Sequence, residues 1–358
     1  MTILSSPYFA GHEDVHLFAD PASGLRAIIA IHSTALGPAA GGCRMWSYAG
    51  EQAAIDDALR LSRGMSYKNA MADLPLGGGK AVIMATPSQA KTEALMEAFG
   101  RAVQSLNGRY ITAEDVGINV HDMTVAARST SYISGLKKSG DLAGGDPSPK
   151  TARGVYLGLL AAVKAQLGRG DVQGLRVAVQ GLGGVGYHLC RNLHEAGASL
   201  IVADVNPERV IRAVDEFGAT AVPTDEILFV DADVVAPCAL GAVLNENSIA
   251  KIQARVIAGG ANNQLATDGD GVRLHARGIL YTPDYVINAG GIINVAAEYL
   301  GNKSEVEVDA DIARIYDRLI DLFARAKIDD RPTNTIADAL AEERIKRAGM
   351  TQAERKIA

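Results

Sequence analysis

A strand-like run, Arg176 to Gln180, leads directly into Gly181-Leu182-Gly183-Gly184-Val185-Gly186 and then into an apolar helical stretch reaching Ala196. Leu200 to Ala203 reads as the next strand and ends in Asp204, 23 residues beyond the first glycine. Three spaced glycines alone are weak evidence, and a glycine-rich turn without a ligand is the plain alternative. With a strand before, a helix after and an acid at this distance, the pattern is that of a βαβ unit that holds a dinucleotide. The free N–H groups at the helix start would take the pyrophosphate. Asp204 would accept from the ribose hydroxyls and oppose a 2′-phosphate, which favours NAD over NADP. Arg209 is a possible counterweight to that preference.

A length of 358 residues suggests two cores, because single cores rarely grow much beyond ~250–300 residues. The expected fold is therefore α/β in two domains, an N-terminal substrate domain and a Rossmann-type dinucleotide domain with a cleft between them. A boundary falls in the turn-former cluster at 137–150, Lys-Lys-Ser-Gly-Asp-Leu-Ala-Gly-Gly-Asp-Pro-Ser-Pro-Lys. We expect 1–147 to form the catalytic domain and 148–330 the dinucleotide domain. A formal charge of −6 argues against nucleic acid or an anionic membrane as partner. Cys43, Cys190 and Cys238 lie far apart, an odd number without metal-ligand spacing, so neither a metal site nor a disulfide framework is expected. There is no secretion-signal pattern and no long apolar segment, so a cytoplasmic protein is expected.

Before the dinucleotide unit, Val15 to Ala19 and Leu25 to Ile31 read as adjacent strands, and the apolar spacing from Glu51 towards Lys68 reads as an amphipathic helix. Lys80 to Met84 is a short strand, Thr86-Pro87-Ser88 opens a helix running to Val103, and Tyr110 to Ala113 is a strand ending at Glu114 and Asp115. After Asp204 the α/β alternation continues. It is interrupted after strand ends by Pro237-Cys238-Ala239-Leu240-Gly241 and Gly260-Ala261-Asn262-Asn263-Gln264. Helices follow from Asn288, from Val306 to about Lys327, and from Thr333 to Arg347, with a polar, frayed tail at 348–358.

The chemistry that a nicotinamide cofactor needs from its partner domain is concentrated in 64–80, which carries Lys68 and, after Gly77-Gly78-Gly79, Lys80. A phosphate loop is excluded there, since Leu74 stands where a glycine is needed and Ala81 where Ser or Thr is needed. The glycines would let a ligand approach the backbone beside the amine. One lysine could hold a carboxylate; the other, with its pKa lowered by like charge and desolvation, could exchange protons. Asp115 could shuttle an amine proton or simply cap the helix starting near Val120. Together these groups suit amino-acid/2-oxo-acid interconversion better than alcohol oxidation. The histidines (12, 16, 32, 121, 188, 194 and 275) show no ligand spacing and read as structural.

With these motifs in hand the chain resembles the glutamate/leucine/phenylalanine/valine dehydrogenase family, most closely its short-chain branch. The resemblance is carried by Gly64-Met-Ser-Tyr-Lys-Asn69, Leu76-Gly-Gly-Gly-Lys80, Ile111-Thr-Ala-Glu-Asp-Val116, Ala236-Pro-Cys-Ala-Leu-Gly241, Ala261-Asn-Asn-Gln-Leu265 and Tyr285-Val-Ile-Asn-Ala-Gly-Gly291. It implies NAD-dependent reversible oxidative deamination of an L-amino acid to a 2-oxo acid and ammonia. Lys68 would bind the substrate carboxylate, Lys80 would activate water and stabilise an oxyanion, and Asp115 would pass protons to and from nitrogen. Gly42, Asn262 and Asn263 would contact substrate. Thr151, Gly181, Gly183, Gly184, Val185, Gly186, Asp204, Cys238, Ala239, Asn263 and Asn288 would hold the cofactor. A side-chain pocket of Ala40, Met65, Ala113, Ile292 and Val295 carries no charge, which disfavours glutamate and favours leucine, valine and isoleucine. The small Ala40 keeps phenylalanine or tryptophan as the alternative. The resemblance also implies that 331–358 completes the first domain and that the enzyme is a homo-oligomer, dimer to octamer. A non-catalytic NAD sensor would be expected to lack Lys80 or Asp115, and both are present.

Overall fold

The computed structural model describes residues 3–86, 90–136, 146–301 and 303–357, with side chains as far as Thr351. The chain divides into two compact α/β units. One comprises Met1–Gly145, Val295–Asn302 and Leu340–Ala358; the other comprises Asp146–Asn294 and Lys303–Ala339.

The first unit is built on the strand Gly77–Met84. On one side it pairs antiparallel with Leu25–Ser33, which in turn pairs with Asp14–Asp20. On the other side two short parallel strands meet it in succession. Ala39–Ala40 lies opposite Gly77 and Gly78, and Cys43–Trp46 lies opposite Ala81 to Met84. Tyr110–Ile111 extends the sheet beyond Ala39–Ala40. Because strand side chains alternate between faces, each strand feeds two cores. Leu25, Ala27, Ile29 and Ile31 join Ala81, Ile83, Phe99 and Val103 on the face covered by the helix Glu93–Ser105. Ile28, Ala30 and Val82 join Ala54, Ile55, Ala58 and Leu59 of the helix Glu51–Met71 on the other. Lys80 shares its parity with Val82, so it is carried on the face of the Glu51–Met71 helix.

Local boundaries differ from the sequence expectations in informative ways. The helix expected to open at Thr86-Pro87-Ser88 starts at Glu93, where the Thr92 hydroxyl caps it by accepting from the Leu95 N–H; Pro87 and Ser88 lie outside the described residues. The helix Val120–Ala126 is capped by Asn119, with Asp122 reaching back in a capping box, so Asp115 is not its cap. Most of the turn cluster at 137–150 (137 to 145) lies outside the described residues, and a helix runs over Ser148–Leu167. The last helix continues to Ile357 instead of fraying after Arg347.

The second unit holds a six-stranded sheet whose pairings are all parallel. From one edge the order is Leu280–Tyr281, Val256–Ile257, Val234–Pro237, Arg176–Gln180, Ser199–Ala203 and Thr220–Ala221. Numbered along the chain and read from the opposite edge, this is the doubly wound order 3-2-1-4-5-6 of a Rossmann sheet, with its switch point between Arg176–Gln180 and Val234–Pro237. The helix Ser148–Leu167 is buried by small residues that permit close packing. A Cβ at Gly158 would lie 2.4 Å from Ile287 and 2.7 Å from Leu319 of the helix Glu305–Asp329. No helix among the described residues is long and apolar enough to cross a membrane.

Candidate active site

The glycine run before Lys80 is explained by packing within the first unit. A Cβ at Gly77 would lie 2.0 Å from the Ser33 carbonyl oxygen, and one at Gly78 would lie 2.0 Å from the Ser66 nitrogen. A Cβ at Gly79 would press on the Tyr110 ring at 2.7 Å. The space expected for a ligand is thus filled by the protein itself: bare backbone lets the Glu51–Met71 helix sit directly on the strand. Asn69 of that helix fixes the contact, donating to the Gly77 carbonyl at 2.6 Å. Lys68 lies between Ser66 and Asn69 in sequence and is half-buried in the helix's last turn.

Lys80 emerges beyond the run and is buried, its Nζ 2.6 Å from Asp115 Oδ2. The same carboxylate oxygen accepts from Arg44 Nε at 3.2 Å. Arg44 also donates to Asp57 at 3.0 Å, and Asp57 further accepts from the Tyr48 hydroxyl at 2.7 Å and from Arg60 at 2.8 Å. Burial is the largest influence on the Lys80 amine and lowers its pKa; the Asp115 charge pulls it back only in part. Burial alone would raise Asp115, but Lys80 and Arg44 outweigh it and the carboxyl is held below its ordinary value. The result is a carboxylate held in its charged form beside an amine whose charged form burial disfavours. Arg44, Asp57 and Tyr48 were not foreseen as site residues, because strand parity and pairing, not spacing, bring them there: Arg44 stands opposite Val82.

Around this pair the first unit presents the expected uncharged positions. Ala40, with the parity of Gly78 and Lys80, is buried; Met65 and Ala113 are half-buried. At Gly42 a Cβ would lie 2.5 Å from the Glu114 carbonyl and 2.9 Å from Asp115 Cβ, so that glycine makes room for the segment that carries Asp115. Val295 is half-buried in the same unit, whereas Ile292 belongs to the second. Two of the histidines are core residues seated under the Glu51–Met71 helix. His12 Nε2 lies 3.0 Å from both the Leu59 carbonyl and the Ser62 hydroxyl, His32 Nδ1 lies 2.8 Å from the Ser66 hydroxyl, and the rings meet edge to face at 4.9 Å.

In the second unit the predicted cofactor residues gather at the switch point. Gly181 adopts φ +92°, a left-handed conformation natural to glycine, and a Cβ there would meet Ala239 at 2.7 Å. A Cβ at Gly186 would lie 1.9 Å from the Gly181 carbonyl and 3.3 Å from Cys238, so the first and fourth strand ends touch through bare backbone. Gly183, by contrast, faces open space, with nothing within 4 Å of an added Cβ, and it precedes the helix Gly184–Glu195. Bare backbone facing open space at a helix start suits a pyrophosphate. Val185 packs towards Gly260, whose N–H donates to Cys238 Sγ at 3.4 Å. Asn288 donates to Asn262 at 2.8 Å and to the Gly260 carbonyl at 3.2 Å. Asn263 takes a left-handed φ of +52°, and its carbonyl accepts from the Ala242 N–H. Thr151 donates to the Pro147 carbonyl at 2.9 Å and abuts Gly291. Asp204 is placed at the second strand end but is turned into the loop: Oδ2 accepts from the Leu182 N–H at 2.6 Å and Oδ1 from the Asn206 N–H at 2.8 Å.

Residues 12–132 match the model of the Glu/Leu/Phe/Val dehydrogenase dimerisation domain, and residues 201–352 match that of the Glutamate/Leucine/Phenylalanine/Valine dehydrogenase domain. The chain is 54% identical over 334 residues to leucine dehydrogenase of Geobacillus stearothermophilus, covering 93% of this chain and 90% of that one. It is 48% identical over 338 residues to valine dehydrogenase of Streptomyces virginiae, covering 94% of each. The crystal structure of L-tryptophan dehydrogenase from Nostoc punctiforme superposes with a TM-score of 0.85 at 46% identity, covering 94% of this chain and 97% of that one. The chain belongs to the glutamate/leucine/phenylalanine/valine dehydrogenase family and is an amino-acid dehydrogenase, an oxidoreductase with a nucleotide-binding domain.

Proposed function

We propose that this dehydrogenase carries out the reversible NAD-dependent oxidative deamination of branched-chain L-amino acids (leucine, valine and isoleucine) to the 2-oxo acid and ammonia. The observation that carries the reading is the Lys80–Asp115 pair, 2.6 Å apart with Lys80 buried, in a unit whose candidate side-chain positions Ala40, Met65 and Ala113 carry no charge. Lys68 holds the substrate carboxylate as a fixed positive charge. The lowered pKa of Lys80 lets its amine take a proton from the water that adds to the oxidised carbon, and its ammonium then stabilises the oxyanion. Asp115, kept ionised by Lys80 and Arg44, accepts a proton from the substrate nitrogen and returns it as ammonia leaves. Bound NAD supplies the hydride acceptor. Thr151, the Gly181–Gly186 loop, Asp204, Cys238, Ala239, Asn263 and Asn288 hold it, and the bare backbone at Gly183 leaves room for its phosphates. Asn262 and Asn263 contact the substrate.

A glutamate side chain would place a second carboxylate among apolar groups without a partner, at a cost no contact there repays. The relatives named as leucine and valine dehydrogenases support the aliphatic choice. Ala40 supports a second reading, an aromatic substrate, because a small side chain leaves room for a ring. A cytoplasmic homo-oligomer, dimer to octamer, completes the proposal, and light scattering would give its size. The functional test is a panel of L-amino acids with NAD, following absorbance of the reduced cofactor. The expected order puts leucine, valine and isoleucine first. Turnover confined to phenylalanine or tryptophan would select the second reading, and no turnover with any amino acid would reject both.

A further inference from the structure

Arg44 reaches Asp115 because two segments of the first unit are laced side by side. The Cys43 N–H donates to the Ala113 carbonyl at 2.8 Å, and the Met45 N–H donates to the Val116 carbonyl at 2.9 Å. Arg44 lies between the two lacing residues, and its side chain is only 22% exposed. Its guanidinium bridges two carboxylates through different nitrogens, Nε to Asp115 at 3.2 Å and Nη1 to Asp57 at 3.0 Å. Asp57, in the second turn of the helix Glu51–Met71, is clamped in turn: the Tyr48 hydroxyl donates to Oδ2 at 2.7 Å and Arg60 to Oδ1 at 2.8 Å. Lys80 and Arg44 therefore converge on one oxygen of Asp115 from two neighbouring strands, Gly77–Met84 and Cys43–Trp46. Counted by charge, two guanidinium groups, Arg44 and Arg60, face two carboxylates, Asp57 and Asp115. Guanidinium groups do not lose their protons in proteins, so these four groups balance one another and the Lys80 ammonium is the surplus charge. Cys43 and Tyr110 also face the pair, and burial pushes both up, so they stay neutral. Tyr48 is raised too, by burial and then by Asp57.

We propose that Arg44 is a positioning residue for the reaction: clamped by Asp57, it is the permanent counter-ion of Asp115 and so frees Lys80 to work as a base. This rests on the reading of Lys80 as the acid/base and Asp115 as the proton carrier. Were Lys80 its sole partner, the carboxylate would hold the amine in its charged form, because deprotonation would strand a partly buried anion. With Arg44 on the same oxygen, Lys80 gives its proton to solvent, the cluster stays balanced, and the neutral amine can take a proton from the attacking water. Burial is the largest cause of the lowered Lys80 pKa, and repulsion from Arg44 adds to it. Asp57 stays charged as the anchor: burial pushes it up, but Tyr48, Arg60 and Arg44 outweigh that and hold it below its ordinary value. Arg44 also fixes where Asp115 Oδ2 lies, as proton transfer to and from the substrate nitrogen requires.

The test uses the full-length enzyme with Arg44→Gln, Arg44→Lys and Asp57→Asn. Two readouts follow the amine. One is the acidic limb of the kcat/KM profile for the preferred amino acid with NAD. The other is the pH dependence of Lys80 acetylation by acetic anhydride, read by peptide mass spectrometry. Arg44→Gln leaves one guanidinium against two carboxylates, so Lys80 keeps its proton to higher pH. Both readouts then move up in pH, and kcat falls by about 10–10²-fold. Arg44→Lys keeps the charge and brings both readouts back towards wild type. Asp57→Asn leaves two guanidinium groups against one carboxylate, and both readouts move to lower pH. Loss of packing alone would lower kcat and Tm without moving the readouts in opposite directions. Readouts that stay in place in Arg44→Gln overturn the proposal, as does an Arg44→Lys variant that behaves like Arg44→Gln. If Arg44→Gln does not fold, Asp57→Asn decides: a shift to lower pH supports the proposal, and no shift or a rise overturns it. Wild-type turnover separates this proposal from the functional reading. If it is present while both readouts stay fixed in the variants, the Arg44 proposal fails alone. If it is absent with every amino acid, the functional reading fails, while acetylation still decides whether Arg44 governs the amine.

Discussion

Two clusters of buried titratable groups are seated under the same helix, Glu51–Met71, and they solve the cost of burial in opposite ways. At one, Asp115 meets both Lys80 and Arg44, so charge is kept in place by opposite charge. At the other, His12 and His32 meet hydroxyls, a carbonyl and each other. Burial lowers His12, while burial, the neighbouring His12 and Arg63 bring His32 down to about 4. Both clusters are polar and both are interior, yet only the first is a candidate for chemistry. A buried group can move protons during turnover when its charged form is affordable; one that has surrendered its charge serves packing.

The comparison can be broken most directly at Lys80. Lys80→Ala is expected to lower kcat by ~10³-fold or more while dinucleotide binding, measured by calorimetry, survives. Unchanged turnover would remove the lysine from the mechanism. Asp115→Asn should cost about 10²-fold. It also has a directional signature. Asp115 pulls the Lys80 pKa upward, so its neutralisation should move the acidic limb of the residual kcat/KM profile to lower pH. A limb that stays in place or moves up would uncouple the two groups.

The histidine cluster gives a stability effect instead of a rate effect. Its folded pKa values are depressed, so the unfolded chain takes up protons first as pH falls below 6.5. The stabilising contribution is complete above that value and is lost between 6.5 and about 4. For His32 the loss reaches about 3 kcal/mol at most. Denaturant melts of wild type and His32→Gln at pH 7 and 4.5 would test it, and an equal acid loss in both would contradict the assignment. The smallest effect lies at the edge of the charged cluster. Ala40→Leu should shift the ratio of kcat/KM values from phenylalanine towards leucine by roughly tenfold, and an unmoved ratio would take Ala40 out of the pocket.

The dinucleotide loop was legible because its geometry is local: a strand, a left-handed glycine at 181 and a helix start lie within a few residues of each other. Lys80 and Asp115 stood out in the sequence as candidates by residue type and position, and the fold brings them to 2.6 Å. What stayed hidden was long-range. The strands Ala39–Ala40 and Cys43–Trp46 sit in a glycine- and proline-rich segment without strand periodicity, and only their pairing with Gly77–Met84 makes them strands. Arg44 therefore could not be assigned to the site, nor could Asp57 from 13 residues further along. The glycines before Lys80 and those after Gln180 look alike as text. The first set is covered by the protein itself, by Ser33, Ser66 and Tyr110 in turn, while Gly183 opens to solvent, a distinction that depends on what lies opposite each residue.

The contact between Gly78 and Ser66 sets the terms on which this enzyme can be re-engineered. Saturation libraries spanning 77–79 would mostly yield misfolded protein, because a side chain at Gly78 levers the Lys68-bearing helix off the strand that carries Lys80, and one at Gly77 or Gly79 collides with the Ser33 carbonyl or the Tyr110 ring. Screens for new substrates would do better to leave that seam alone and vary Ala40, Met65 and Ala113, the proposed pocket positions, which lie outside the glycine seam that holds the Lys80 strand in place.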